Sequence, residues 1–437
     1  MLIEKKLFTR VNLINLLIAV LPLSLIIGNS AVNINVVLIC LAGIMTYKFE
    51  LFRINKKIYQ YLIFSFFLYL ILITLITNIP LIVNYVHKTH PYLEGSRDYY
   101  IDNIIKSFSF LRFLILFLVV NKLVQYNHFN FKFFYVSCSF FVLAVSVDIV
   151  IQVIFGKNLF GYPILHSRPT SFFLNEFIAG GYIQKFSLFF IFFCVSLVQK
   201  DYKDRILYLL FFLFFIPLLL TVNRMPLLLY LFSFLLILIL RKKFKYILVF
   251  SLIFFFIFFG IFKYYSKTRL GTNINVFYES STKVLTALSK LNSPDVVYDK
   301  DGYILLFRTA GQIWEKNKVF GSGIKSFKLQ CTYEPGRSCA THPHNYTLEL
   351  LVDTGGIGFV IMYLIFIFAF FDSFKFYLRS SNLNSKLLFL PFFIIVFLEF
   401  FPLRSSGSFF STSNATVIFF MLALLIGVLN LKKLNNN

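Results

Sequence analysis

Charge is scarce in this chain, and acid scarcest. Asp, Glu, Lys and Arg make up 14% of 437 residues, with 19 acidic residues against 42 basic. Soluble domains carry about 25% charged residues, so an ordinary water-soluble enzyme is excluded, as is a charge-rich disordered chain. No internal repeat, low-complexity linker or collagen-like segment is visible. What fills the chain is apolar: 58% hydrophobic residues, with 61 Phe and 25 Tyr, mostly in long runs. Such a composition describes a polytopic membrane protein. The net charge of +23 would suggest nucleic acid on a soluble domain. Here the basic residues fall mainly in short loops between apolar runs, where they set orientation, and no nucleic-acid partner is expected.

A membrane-spanning helix needs roughly 20 apolar residues. About twelve such runs can be read: Val11–Ile27, Val32–Tyr47, Ile58–Ile76, Ile104–Val120, Phe133–Ile154, Ile178–Val198, Ile206–Val222, Pro226–Leu240, Tyr246–Tyr264, Tyr346–Phe371, Leu387–Phe401 and Ala415–Leu429. The first follows Glu4-Lys5-Lys6 and Arg10 and has no small-residue cleavage site after it, so it reads as an anchor. With both termini cytoplasmic, the inner loops collect Lys48, Arg53, Lys56, Lys57, Lys122, Lys132, Lys200, Lys203, Arg205, Arg241, Lys242, Lys243, Lys245, Lys375, Arg379, Lys386, Lys432 and Lys433. That satisfies the positive-inside rule. The expected fold is an all-α polytopic membrane protein of about 12 transmembrane helices. One integral domain spans 1–437, and a large, partly helical outer loop, 266–345, is inserted between helices nine and ten.

Cys40, Cys138 and Cys194 lie within apolar runs and read as small buried hydrophobes. Cys331 and Cys339 share the outer loop, where an oxidising compartment favours a short disulfide over a zinc pair. His87-x-x-His90 offers two ligands, too few for a metal site.

Ionisable groups inside spans are expensive and turn toward the bundle interior. Arg112, Asp148, Lys185 and Glu399 are such groups; an Asp–Arg or Asp–Lys pair holding helices in register competes with a polar vestibule. Arg224 sits in a hairpin, Thr221-Val222-Asn223-Arg224-Met225-Pro226, between two apolar runs. It reads as a snorkelling anchor or as a planar fork for a lipid-linked phosphate. Asp301–Asn317 reads as an amphipathic helix holding the only Trp, Trp314, with Arg308 and Gln312 four apart on one face. Gly321-Ser322-Gly323 follows as a turn. The stretch His344-Asn345 through Gly358 runs from this loop straight into a span. Asn345 suits the start of a helix, Glu349 and Asp353 share a face four apart, and Gly355 and Gly358 permit close approach of a neighbouring helix. Neutral imidazole is the side chain best poised to accept a proton near pH 7, so His344 is the candidate general base.

This stretch resembles the signature of the O-antigen ligase and polymerase family: His followed by Asn, Ser or Gln, nine residues, then Gly-x-x-Gly. Here it reads His344-Asn345, Tyr346–Thr354 and Gly355-Gly356-Ile357-Gly358. Thr221-Val222-Asn223-Arg224 is similar to the family's Thr-x-Ser-Arg turn, with Asn223 for Ser. Arg308, Trp314 and Phe320-Gly321-Ser322-Gly323 are similar to its Arg…Trp…Pro-x-Gly-x-Gly stretch, with Val319-Phe320 where Pro-Leu is common. These matches cover about Ile206–Phe371. The resemblance implies an inverting, metal-independent and cofactor-free glycosyl transfer at the periplasmic face of a bacterial inner membrane. The donor would be a glycan on undecaprenyl diphosphate. The acceptor would be a sugar hydroxyl, on lipid A-core for a ligase or on another lipid-linked glycan for a polymerase. It further implies that His344 activates the acceptor and that Arg224 and Arg308 bind the diphosphate. Asn345, Glu349 and Asp353 are candidates to support that site, the two acids by orienting His344 or by balancing the arginines. Arg168, Glu176, Lys185, Arg404 and Arg112 are candidates to extend it, with a purely structural role the alternative for each. A protein O-oligosaccharyltransferase and, in another class, a secondary transporter are the rival readings; the latter lacks the paired broken helices expected of two halves.

Overall fold

The computed structural model describes residues 2–53, 58–83, 96–250 except 167 and 248, 252, 302–331, 339–402 except 381, and 404–434. In chain order the helices are α1 (Leu2–Ile27), α2 (Asn29–Tyr47), α3 (Ile58–Val83), α4 (Ser96–Ser109), α5 (Leu111–Gln125), α6 (Phe131–Phe155), α7 (Ala179–Leu197), α8 (Lys203–Leu220) and α9 (Arg224–Leu240). They continue with α10 (Gly302–Lys316), the one-turn α11 (Phe327–Gln330), α12 (Tyr346–Arg379), α13 (Leu383–Glu399) and α14 (Thr412–Leu434). Among the described residues there is no β-strand, only two isolated bridges between 157 and 168. In hydrocarbon every backbone N–H and C=O must be satisfied within the segment, which leaves the helix as the solution for these apolar runs.

Among the described residues eight helices are long and apolar enough to cross a membrane: Thr9–Ile27, Asn29–Phe52, Ile58–Val83, Asp98–Gln125, Phe131–Phe155, Ala179–Leu197, Tyr346–Arg379 and Thr412–Leu431. Three further expected runs form shorter helices: α8 of 18 residues, α9 of 17 and α13 of 17. α8 opens on Lys203-Asp204-Arg205, so its apolar part covers only about 22 Å against the ~30 Å of a hydrocarbon core. The run Tyr246–Tyr264 lies mostly outside the described residues, as do His87-x-x-His90 and the loop from 266 to 301. The span expected at Ile104–Val120 begins earlier and is interrupted at Phe110, between α4 and α5. Arg112 therefore stands in the first turn of α5.

α14 is the hub. Its spanning window is 83% buried, more than any other, and it packs against α5, α2, α12 and α13. Rings do much of the filling at one end: Phe67, Phe110, Phe113, Phe409, Phe410 and Phe419 pair at centroid distances of 4.9 to 6.3 Å. Large apolar side chains such as Leu13, Leu38, Leu68, Phe140 and Leu209 remain exposed on the periphery, as lipid-facing positions should.

Candidate functional site

The site is built around the start of α12. Asn345 caps the helix: its Oδ1 accepts from Leu348 N at 3.0 Å, one of the orphan donors of a helix N-terminus. Its Nδ2 donates to the carbonyls of Pro402 (2.8 Å) and Arg404 (3.0 Å). Directly before it, His344 holds a left-handed backbone, φ 52°, and its carbonyl accepts from Ser406 N at 2.8 Å. The loop 402–409 is thus stitched to the residue pair that carries the motif.

The two acids that follow serve loops. Glu349 is buried and receives Ser408 Oγ at 2.5 Å and Phe409 N at 2.6 Å. Asp353, one turn on and fully buried, receives Lys325 N (2.7 Å), Ser326 N (3.1 Å) and Ser326 Oγ (2.8 Å). Each carboxylate meets donors of a different loop, so the pair clamps 404–409 and 322–326 onto the first two turns of α12. Beside the two expected roles, orienting His344 or balancing the arginines, the hydrogen bonds give the pair this third one.

Beyond Asp353 the helix breaks. Gly355 has φ 62° and ψ −169°, a region essentially reserved for glycine. Segment 318–323 crosses the break: Gly356 N and Ile357 N donate to the carbonyls of Lys318 (2.8 Å) and Val319 (3.1 Å), while Gly323 N donates to Asp353 O (2.8 Å). A Cβ on Gly355 would lie 2.4 Å from Gly321 N, and one on Gly321 would lie 2.3 Å from Gly355 N. Two motifs read separately from the sequence are therefore one contact between backbones. Gly355 admits this segment and not, as expected, a helix; Gly321-Ser322-Gly323 is more than a turn. On its other side the segment meets α3, where Tyr69 Oη donates to Phe320 O at 2.8 Å and Ile324 N donates to Thr74 Oγ1 at 3.1 Å.

Lys185 and Arg404 are committed to a buried carboxylate. Glu399, at the end of α13, is 3.0 Å from Lys185 Nζ and 3.0 Å from Arg404 Nη1. Arg404 also donates to Leu398 O at 3.1 Å and lies 5.1 Å from the Tyr346 ring centroid. Removing one partner of such a buried group strands a charge, so the ion pairs supply the structural alternative held open for these two cations. The triad retains one positive charge in excess.

The hairpin before α9 joins the same end. Thr221 and Asn223 press on Gly180, in the first turn of α7, where an added Cβ would meet Thr221 Oγ1 at 2.7 Å and Asn223 Cβ at 2.8 Å. Arg224 follows as the first residue of α9, half-buried. A continuous path of contacts, from this hairpin through α7 to Lys185, Glu399, Arg404 and Tyr346, links the Arg224 turn to the His344 turn. Arg308 stands on α10, whose Leu306, Ala310 and Ile313 pack with Phe327 and Val352 against α12; its own side chain is exposed. The Arg224 hairpin and α10 are thus each joined, through packed neighbours, to the elements around the start of α12.

The other candidates are placed differently. Arg112 donates to Ser109 O (2.6 Å) and Thr412 Oγ1 (3.3 Å), tying α4, α5 and α14. Arg168 lies 5.4 Å from the Phe177 ring centroid, and Glu176 is exposed nearby. That loop is anchored from α6, where Asp148 receives Leu159 N (2.8 Å) and Ser171 Oγ (2.7 Å) and Gln152 receives Thr170 N and Ser171 N. The basic partner expected for Asp148 is replaced by these loop donors. Cys331 and Cys339 form a disulfide just before His342 and His344. Among the described residues no three His, Cys, Asp or Glu side chains gather to hold a metal ion.

Two groups escaped the sequence reading: Lys325, half-buried beside the clamp, and His342, whose ring centroid is 4.1 Å from that of His344. The spacing His342-Pro343-His344 was the available signal. Burial depresses the His344 imidazole below its ordinary value, with a backbone hydrogen bond to Ser406 opposing. Burial, then His344 and Lys325, push His342 down to about 4. Both rings are neutral at pH 7.

Fold and site together define a helical membrane protein with a polar, loop-clamped end built on neutral imidazoles and arginines. Residues 209–363 match the family model described as O-antigen ligase, which bears out the resemblance drawn from the motifs. The match runs from α8 into α12, about a third of the chain, and includes Arg224, Arg308 and His344. That family is one of membrane glycosyltransferases of the O-antigen ligase and polymerase type, and it implies lipid-linked glycan substrates. A comparison with curated proteins returned no match.

Proposed function

We propose that this chain is a membrane glycosyltransferase that moves a glycan from undecaprenyl diphosphate to a sugar hydroxyl of lipid A-core, with inversion, on the periplasmic face of a bacterial inner membrane. The observation carrying this reading is His344, a half-buried imidazole just before α12 whose carbonyl is held by Ser406 N and whose proton affinity burial lowers. His344 takes the proton of the acceptor hydroxyl as oxygen attacks the anomeric carbon; a positioned base contributes about 10²–10⁴-fold. The bond to the diphosphate breaks on the opposite face, and Arg224 and Arg308 hold the charge that develops there. Fixed cations in a water-poor site act at the moment charge appears, and losing one such group costs about 10²–10³-fold. No metal or cofactor takes part.

The test is complementation. The gene restores capped lipid A-core to a ligase-null strain, and Arg224→Lys falls at least about tenfold short, since a point charge does not replace a bidentate fork. A fully active Lys variant would reduce Arg224 to an anchor. Restoration of long chains in a polymerase-null strain, without capping in the other, would make a lipid-linked glycan the acceptor.

The pH profile carries a sign. A base works unprotonated, and burial lowers the His344 value, so His344 remains competent to lower pH than a free imidazole. The acid limb of the transfer rate should lie below the ordinary value of about 6.5. Initial rates between pH 4 and 9 in buffered nanodiscs, ~0.5 pH apart, measure it; a limb at or above the ordinary value contradicts His344 as the base.

A further inference from the structure

One imidazole is left over in this site. The His342 and His344 ring centroids lie 4.1 Å apart, with the planes inclined at 50°. His342 Nδ1 is 2.9 Å from Thr341 Oγ1. Its Nε2 is buried and has no hydrogen-bond partner among the described residues. A buried polar nitrogen without a partner is costly, and each exception in a folded protein calls for a reason. A neutral imidazole has one N–H and one lone pair; with Nδ1 engaged by Thr341, one hydrogen-bonding position is open, and it is at Nε2.

The surroundings keep that position neutral. Burial, the His344 ring and the Lys325 ammonium all disfavour a proton on His342. Lys325 in turn faces Glu349 and Asp353 of α12, Lys106 of α4 and Arg112 of α5. The ring beside the candidate base is thus an uncharged hydrogen-bonding group next to the point where an acceptor hydroxyl gives up its proton.

We infer that His342 is an acceptor-binding residue: its Nε2 hydrogen-bonds a second hydroxyl of the acceptor sugar and holds that sugar against His344. His344 takes the proton; His342 exchanges none. The inference rests on the glycosyl transfer proposed above and names how its acceptor, a saccharide with more than one free hydroxyl, is gripped.

The experiment uses the full chain in lipid nanodiscs with an undecaprenyl-diphosphate-linked glycan as donor. The acceptor is lipid A-core or a second lipid-linked repeat unit, whichever the wild type uses. His342→Phe keeps a flat ring and loses both nitrogens. Its acceptor KM should rise about tenfold, with donor KM and the acid limb of the pH profile unmoved. His342→Gln, which restores a donor and an acceptor, should recover most of that loss. An unchanged acceptor KM in the Phe variant, or a displaced acid limb, overturns the assignment. Should the Phe variant fail to fold, deoxy acceptors on the wild type decide. Removing one hydroxyl other than the attacking one should raise KM about tenfold, and insensitivity at every such position overturns the assignment. Failure of the parent reading looks different: the wild type transfers to neither acceptor, or His344→Asn transfers as well as the wild type, and both proposals fall together.

Discussion

Replacing His344 by Asn should abolish glycan transfer, by at least about 10²-fold, while the protein accumulates in the membrane at its normal level. Asn is chosen for the backbone. His344 sits at φ 52°, a left-handed conformation that Asn tolerates far better than β-branched or bulky residues. The carbonyl that accepts from Ser406 is therefore kept while the basic nitrogen is lost. An Ala variant would confound strain with chemistry. The measurements are capped lipid A-core by gel and protein amount by immunoblot of washed membranes. Transfer within an order of magnitude of wild type would move the base elsewhere.

Replacing Gly355 by Ala should leave little folded protein at all. The φ/ψ pair at Gly355 costs a residue with a Cβ about 1–3 kcal/mol. The new methyl would also meet Gly321 N and Val319 O at 2.4 Å, backbone atoms that cannot rotate away. Overpacking of this kind adds about 1–3 kcal/mol. The sum is released only by separating segment 318–323 from α12, which dismantles the hydrogen bonds at Ser322, Gly323, Gly356 and Ile357. Gly311→Ala is the control: a Cβ there meets nothing within 4 Å, and Ala is the better helix former by about 1 kcal/mol. Thermal unfolding of both variants in detergent should therefore diverge in sign. A Gly355→Ala protein as stable as wild type would mean that the two backbones do not touch.

What the sequence made legible was whatever lies close along the chain. The apolar runs became helices because a run announces itself locally, and the His344-to-Gly358 stretch and the Arg224 hairpin were found because each is contiguous. Asn345 was legible as a helix start for the same reason. The partners that decide what Glu349, Asp353 and Glu399 do lie elsewhere: Ser408 is 59 residues from Glu349, Ser326 is 27 from Asp353, and Lys185 meets Glu399 from across the bundle. No periodicity encodes those distances, so the sequence left open what these groups hold in place. Gly355 and Gly321 show the same limit, because each signals backbone freedom without naming the backbone it admits. His342 was given no role for a different reason: beside a residue that fits a known pattern, a second imidazole draws no separate notice until its ring is seen tilted against the first.

The crossing of segment 318–323 between α3 and α12 bears on how this protein can be taken apart. Its anchors, Tyr69 and Thr74 on one side and Asp353, Gly356 and Ile357 on the other, belong to the bundle, so an excised outer peptide would leave most of its bonding behind. Chimeras that exchange only that peptide between relatives would inherit mismatched seams. A swap that carries both flanking helices along with it is the smallest transplant this architecture tolerates.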